Sequence, residues 1–314
     1  MMVSAALLML GALTAVLAPR LLARAEWPER EPVVALWAWQ CVVGAVLLCF
    51  ALSMLLSAAA AWFAVRGPLF AAAPHGVVHA YGLGGPQEDG PWAAVTALAL
   101  AGGALWTGAM LTREVIRARA RTRAQGAELR FRAPLLPGEE PDGARLVVLE
   151  GPRPDAWWQP GARPQLVVTT AALDRLKGSQ LDAVLAHEQG HVAARHDWLL
   201  HCSRALAGGF PQVPVFAAFE AEMYRLVELA ADDVASRRFG RLTTALALVG
   251  LNEDRGVFGT SPAPQAHVSQ RVRRLLAAAP RLSAGRRLRL TALATLVPAV
   301  PLMVAFVPGL SALA

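Results

Sequence analysis

Apolar positions follow two different patterns along this chain. Four long runs lie towards its ends: Met2 to Ala18, Val33 to about Val65, Trp92 to Leu111, and Leu290 to Leu313. At 1.5 Å of rise per helical residue, each is long enough to cross a hydrocarbon layer of about 30 Å, with tilt where the run is longer. Between Arg113 and Arg289 the long runs give way to shorter periodic segments carrying most of the charge. The pattern predicts a mainly α membrane protein with about four transmembrane helices and a water-facing α+β domain. The expected divisions are 1–111, a membrane region of three spans; 112–285, the domain; and 286–314, a last span.

Arginines orient these spans. The turn at 19–32 holds Arg20, Arg24 and Arg30, the connection at 66–91 holds only Arg66, and Arg113, Arg117, Arg119, Arg121 and Arg123 follow the third run. Positive charge collects on the cytoplasmic side, so the N-terminus is expected outside and the central domain in the cytoplasm. Arg286, Arg287 and Arg289 precede the last run on that same side, leaving a short C-terminal stub outside. Met2 to Ala18 has no basic stretch before it, the reverse of a secretory leader. Gly102, Gly103, Pro298, Pro301 and Pro308 are compatible with close helix packing or a kink. The runs contain no carboxylate or histidine, which argues against an ion or proton pathway.

Within the domain, Arg113 to Arg132 reads as a basic helix ended by Pro134 and a Pro/Gly loop. Arg145 to Leu149 and Gln165 to Thr170 read as strands that can pair, and Ala171 to Leu176 opens a helical region. A further helix starts near Ser179, a residue able to cap it, with Leu181, Val184 and Leu185 on its apolar face. Trp198 to Phe219 is interrupted by Arg204, Gly208, Gly209, Pro211 and Pro214, and reads as an interfacial helix and a turn.

The chemistry sits on the Ser179 helix, in LDAVLAHEQGHVAARHD. His187 and His191 are four residues apart, which brings both imidazoles to one side of a helix, one turn apart. Glu188 stands where it can reach a water on the same ion, as general base and then proton donor to the leaving amine. Downstream, VELAADDVA offers Glu228 as third ligand and Asp232, one turn on, as acceptor for the free ring N–H of a ligand histidine. Three protein ligands leave a fourth position for water, the pattern of a catalytic rather than a structural Zn2+. HExxH arises by chance in roughly one chain in a hundred when histidine is this scarce, so the third ligand matters.

The other histidines do not join this set. On a continued helix His196 falls half a turn from the His187 face, and His201 lies about 20 Å along it. His75 and His79 share the i, i+4 spacing but lie in a short loop without a usefully spaced carboxylate. Tyr224, one turn before Glu228, is a candidate oxyanion donor, although tyrosine at helical spacing is more often a packing residue.

Composition adds little. The net charge of +7 comes from arginines beside apolar runs, with no nucleic-acid-binding motif, so the expected partners are a protein or peptide substrate and the bilayer. Cys41, Cys49 and Cys202 form neither a disulfide framework nor a CxxC site.

PQLVVTTAAL, AVLAHEQGHVAARHDW, VELAADDVA and HVSQRVRRL, within residues 90 to 280, together resemble gluzincin-type integral membrane metallopeptidases. The peptidase part of the beta-lactam receptor (BlaR/MecR) family is most similar, with the HtpX-like and CAAX prenyl protease family close behind. The resemblance implies a zincin-like (gluzincin) domain in a bacterial plasma membrane. It implies His187, His191 and Glu228 as zinc ligands, Glu188 as catalytic base, and Asp232 as the acidic residue after the third ligand. It further implies that strand Gln165 to Thr170 is the edge to which an extended substrate adds, and that His267 and Arg271 match a His and Arg of the relatives. Two departures stand out: the receptors carry an extracytoplasmic sensor after their last span, where this chain ends, and Ala156, Trp157 and Trp158 replace their motif before the substrate strand. A non-enzymatic zinc scaffold is the alternative class, and it would have no use for Glu188.

Overall fold

The computed structural model describes residues 2–66, 90–132, 145–159, 165–252, 266–277 and 280–311. Helices α1 (Met2–Ala23) and α3 (Pro32–Arg66) flank the short α2 (Trp27–Arg30). Among the described residues, α1 and the Pro32–Ala59 part of α3 are long and apolar enough to cross a membrane. They pack closely because Gly11 lies against Cys49, where an added Cβ would stand 3.0 Å from the Cys49 Cβ. The buried Ser53 hydroxyl donates to the Ser4 carbonyl at 3.2 Å, so the contact is polar as well as close.

The expected count of four spans is not reproduced as four separate apolar helices. The third run forms the first part of α4 (Gly90–Arg132), which continues unbroken through the basic segment for 43 residues. The last run, with the preceding residues from Ala284, is split into two helices bent by 46°, Ala284–Leu296 and Ala299–Ser311, which reach spanning length only together. The break holds Pro298, which lacks an N–H to continue the helical ladder.

A three-stranded sheet follows: β1 (Arg145–Leu149), β2 (Ala156–Gln159) and β3 (Gln165–Thr169). Its order is β1-β3-β2, with β3 parallel to β1 and antiparallel to β2. Strand β2 has no counterpart in the sequence reading. Its AWWQ is too short to show alternation, and the Pro and Gly around it read as a connection. Thr169 closes the end of β3: its hydroxyl donates to the Arg153 carbonyl and accepts from the Ala172 N–H, capping α5 (Thr170–Arg175).

Helix α6 (Ser179–Ala193) carries HExxH. Ser179 is its first helical residue and the cap position belongs to Gly178, whose φ of 52° suits a residue without a Cβ. Arg195, also left-handed at φ 51°, then separates α6 from α7 (His196–Gly209). Helix α8 (Pro214–Phe239) follows a short turn, with its proline at the first helical turn where no N–H is required. The first half of α8 buries Phe216, Phe219, Met223 and Leu226 against Ala35, Trp39, Val42 and Val43 of α3. Its second half runs beside α6, where an added Cβ on Gly190 would stand 3.4 Å from the Ala231 Cα. Helices α9 (Arg241–Asn252) and α10 (Ala266–Ala277) meet through Ala245, Leu248, Val268, Val272 and Leu275. The two halves of the bent pair are α11 (Ala284–Leu296) and α12 (Ala299–Ser311).

Candidate metal centre and active site

Helix α6 presents His187 and His191 one turn apart, and α8 presents Glu228 opposite them. The two Nε2 atoms are 3.2 Å apart. Glu228 Oε2 lies 3.5 Å from His187 Nε2, and Oε1 lies 3.4 Å from His191 Nε2. Ligands on a tetrahedral ion with bonds of about 2.0–2.1 Å stand about 3.3–3.4 Å from one another. The three donors therefore already hold the spacing a zinc ion requires. They are also the group of His, Cys, Asp and Glu donors, among the described residues, that converges closely enough to bind a metal.

The outward ring nitrogens are held as well. His187 Nδ1 meets the buried Asp232 Oδ1 at 3.1 Å. A carboxylate only accepts, so Nδ1 carries the hydrogen and a neutral His187 turns its Nε2 lone pair towards the ligand group. His191 Nδ1 lies 3.0 Å from Nδ1 of His196, which is itself buried. If His191 Nδ1 donates here, its Nε2 lone pair is likewise free for a metal. His196 thus reaches the site from the start of α7, because the left-handed Arg195 resets the helical phase that the sequence reading had extended. No glycine or proline marks that break. His201 stays on α7 with its ring against the Asp197 carbonyl, outside the ligand group.

Arg271, on α10, completes the arrangement. Its Nε and Nη2 donate to the Asp232 carboxylate at 2.8 and 2.7 Å, and its Nη1 reaches Glu228 Oε2 at 2.6 Å. One guanidinium thus holds the Glu228 and Asp232 carboxylates of α8 in a forked geometry. His267 lies where only the backbone is described. His75 and His79 lie outside the described residues.

The electrostatics follow. Burial alone would raise Glu228, but Arg271 and the imidazoles outweigh it and hold the carboxyl down to about 2. Burial likewise opposes ionisation of Asp232, and Arg271 and His187 overcome it. For the metal-free His187, burial lowers the pKa, while Asp232 and Glu228 more than reverse this and push it up to about 9. His191 moves the other way, to about 4, chiefly by burial. Burial, with the nearby Glu228 charge, pushes Glu188 up to about 7, and the Trp158 backbone N–H draws it partly back. A carboxyl near neutrality beside the two converging imidazoles can both take and return a proton.

That Trp158 contact identifies the strand next to the chemistry. The sequence reading gave the substrate edge to Gln165 to Thr170, but β3 is the central strand, covered on both sides. Strand β2 lies on the site side, its backbone reaching Glu188. A pocket of ≈ 190 Å³ joins His187, Glu188 and Arg271 to Ala156 of β2 and to Val184, Ala247 and Leu251. Tyr224 is not aimed at the ligands: its hydroxyl accepts from Arg204 Nε, and the guanidinium lies over its ring. The geometry therefore favours the packing reading of Tyr224 over an oxyanion role.

The family model of Peptidase family M48 matches residues 137–225. This stretch contains β2, β3 and HExxH and stops short of Glu228. The plastoglobule-localized metallopeptidase 48, chloroplastic, of Arabidopsis thaliana is 37% identical over 86 residues, 27% of this chain and 24% of that protein. The chain thus spans about a quarter of the length of the curated relative it matches. No solved structure matches. These similarities support metallopeptidase chemistry, and neither separates the beta-lactam receptor from the HtpX-like relatives.

Proposed function

We propose that the chain is a membrane-held, zinc-dependent endopeptidase whose catalytic groups face the cytoplasm and cut an extended protein segment lying along β2. The observation that carries this reading is the spacing of His187, His191 and Glu228, each within 3.2 to 3.5 Å of the next, with Glu188 adjoining them. Imidazole and carboxylate donors in this number suit zinc. When bound, zinc would act as a Lewis acid on the scissile carbonyl and lower the pKa of a water.

The chain's own groups supply the remainder. Glu188 takes a proton from the attacking water and passes it to the leaving nitrogen. Asp232 and His196 hold the ring orientations of His187 and His191. Arg271 keeps Glu228 and Asp232 ionised and in place. Strand β2 offers backbone groups to a substrate strand, a mode that reads main chain before side chain, and the small adjoining pocket has room for one apolar side chain.

The substrate class this favours is a regulatory or membrane protein presenting an unfolded segment near the bilayer. Two helices long and apolar enough to cross a membrane support a bilayer beside the site, and the arginine distribution favours a cytoplasmic orientation. Cleavage of an unfolded test protein by vesicle-reconstituted enzyme would be compared with cleavage of peptides N-methylated at successive positions around the cut. Strand addition predicts loss of cleavage at alternating methylated positions. Uniform tolerance of methylation would rule it out.

A further inference from the structure

A second cavity lies away from the candidate metal centre, on the far side of Asp233. It measures ≈ 720 Å³, and its walls come from the α1–α3 turn, α8, the start of α9, and α10. Five arginines line it, against three carboxylates. Asp233 is already paired with Arg274 and Arg281. Glu29 is held by Arg225 and Gln270. Among the described residues no carboxylate pairs with Arg30, Arg241 or Arg273, of which Arg273 donates only a long bond from Nε to the Ser269 carbonyl at 3.4 Å, and Glu26 is the remaining carboxylate of the lining.

The position of the cavity narrows the ligand. Glu26, Glu29 and Arg30 belong to the turn joining two helices long enough to cross a membrane, and Arg281 just precedes the bent pair. Apolar spans end here and charged side chains begin, the level at which lipid phosphates stand. Planar, multiply donating guanidinia match a phosphate oxygen set.

We propose that this cavity binds a phosphate-bearing anion, either a lipid headgroup or free phosphate, and that its occupancy steadies Arg271 in the metal centre. The link is α10. Arg271 reaches Asp232 and Glu228 from one side of this helix, while Arg274, one turn on, reaches Asp233 at 2.8 Å and the Glu29 carbonyl at 2.6 Å. Gln270 adds a bond to Glu29 Oε1. The same helix therefore touches the metal ligands, the cavity and the membrane turn. An anion drawn to Arg273 on α10, Arg241 on α9 and Arg30 on the turn bridges those three elements and opposes their separation.

Detergent-purified full-length protein would be mixed with phosphatidylglycerol, phosphatidylcholine or inorganic phosphate, and bound molecules counted by native mass spectrometry. The proteins compared are the native chain, Arg241→Gln/Arg273→Gln, its charge-keeping partner Arg241→Lys/Arg273→Lys, and Arg117→Gln/Arg119→Gln, which removes two arginines from the exposed surface of α4. The cavity predicts retention of phosphatidylglycerol over phosphatidylcholine, weakened roughly 30-fold by the cavity glutamines, largely restored by the lysines, and unchanged by the α4 pair. Binding of inorganic phosphate without lipid, with the same dependence on the cavity arginines, assigns the site to a soluble phosphate. Equal weakening by the α4 pair overturns the site, because general surface charge then suffices. Zinc retention against a chelator, read without substrate, must rise with the anion in the native chain but not in the glutamine variant. No rise overturns the coupling to Arg271.

Discussion

At the scale of single residues, the centre works by giving each inner donor an outer partner. Glu188→Gln keeps the shape of the side chain while removing its basicity, so zinc content is expected unchanged and cleavage lower by roughly 10²–10⁴-fold. His196→Ala leaves all three ligands in place but frees the ring of His191. Its predicted effect is a zinc affinity lower by about 10–100-fold, with partial recovery in His196→Gln, measured by competition with a chromophoric chelator. Recovery in the glutamine variant would separate a hydrogen-bonding role from mere filling of space. The pH dependence of metal uptake has a definite sign. In the metal-free protein His187 keeps its proton up to about 9, and a ligand must be neutral, so zinc binding at neutral pH should release on the order of one proton and tighten as pH rises. Calorimetry in buffers of different ionisation enthalpy measures that release; none at neutral pH would contradict the Asp232 and Glu228 contacts to His187. By the converse sign, the lowered Glu228 supports the metal-free fold above about 4.5 and loses that contribution as pH falls towards about 2.

Elements decide whether those residues meet. The convergence of HExxH with Glu228 was legible because i, i+4 spacing fixes a helical face and Ala230 and Ala231, between Glu228 and Asp232, allow helices to close. His196 was not, because the left-handed turn at Arg195 has no sequence mark and the period was carried through it. Arg271 was singled out only through the resemblance, since nothing local says which of Arg271, Arg273 and Arg274 turns towards Glu228. Strand β2 was hidden by its brevity, and with it the edge of the sheet on the side of Glu188. The contact between α6 and α8 can be tested directly. Gly190→Ala adds a methyl at an ordinary 3.4 Å contact and should be tolerated. Gly190→Leu must push the helices apart at a cost of about 1–3 kcal/mol, and should lower both melting temperature and zinc content. Retention of full zinc by the leucine variant would show that the helices can part without moving the ligands.

For the whole molecule, the long apolar runs were legible from composition and length, whereas their packing was not. Helix α8 draws its first half into a core shared with α3 and α1 and sends its second half to the His187, His191 and Glu228 group. Hydropathy reports which segments avoid water, not which of them pack against the domain. A fragment of residues 112–285 alone would expose Phe216, Phe219, Met223 and Leu226, each nearly free of solvent in the full chain. It is expected to aggregate or fail to hold zinc, as judged by size-exclusion chromatography with metal analysis, whereas a monomeric, zinc-loaded fragment would show that the domain stands without the apolar helices. In the full chain, Phe219→Ala should destabilise by about 3–5 kcal/mol and weaken zinc retention, although Phe219 lies more than two helical turns before Glu228.

The central claim is that this centre is a zinc-dependent peptidase site with Glu188 as its base. Its most direct test measures bound zinc and cleavage of an unfolded protein together, in detergent-purified native chain and in Glu188→Gln. The account predicts about one zinc per chain in both and cleavage by the native protein alone. Equal cleavage by the two, or zinc bound by neither, would contradict it.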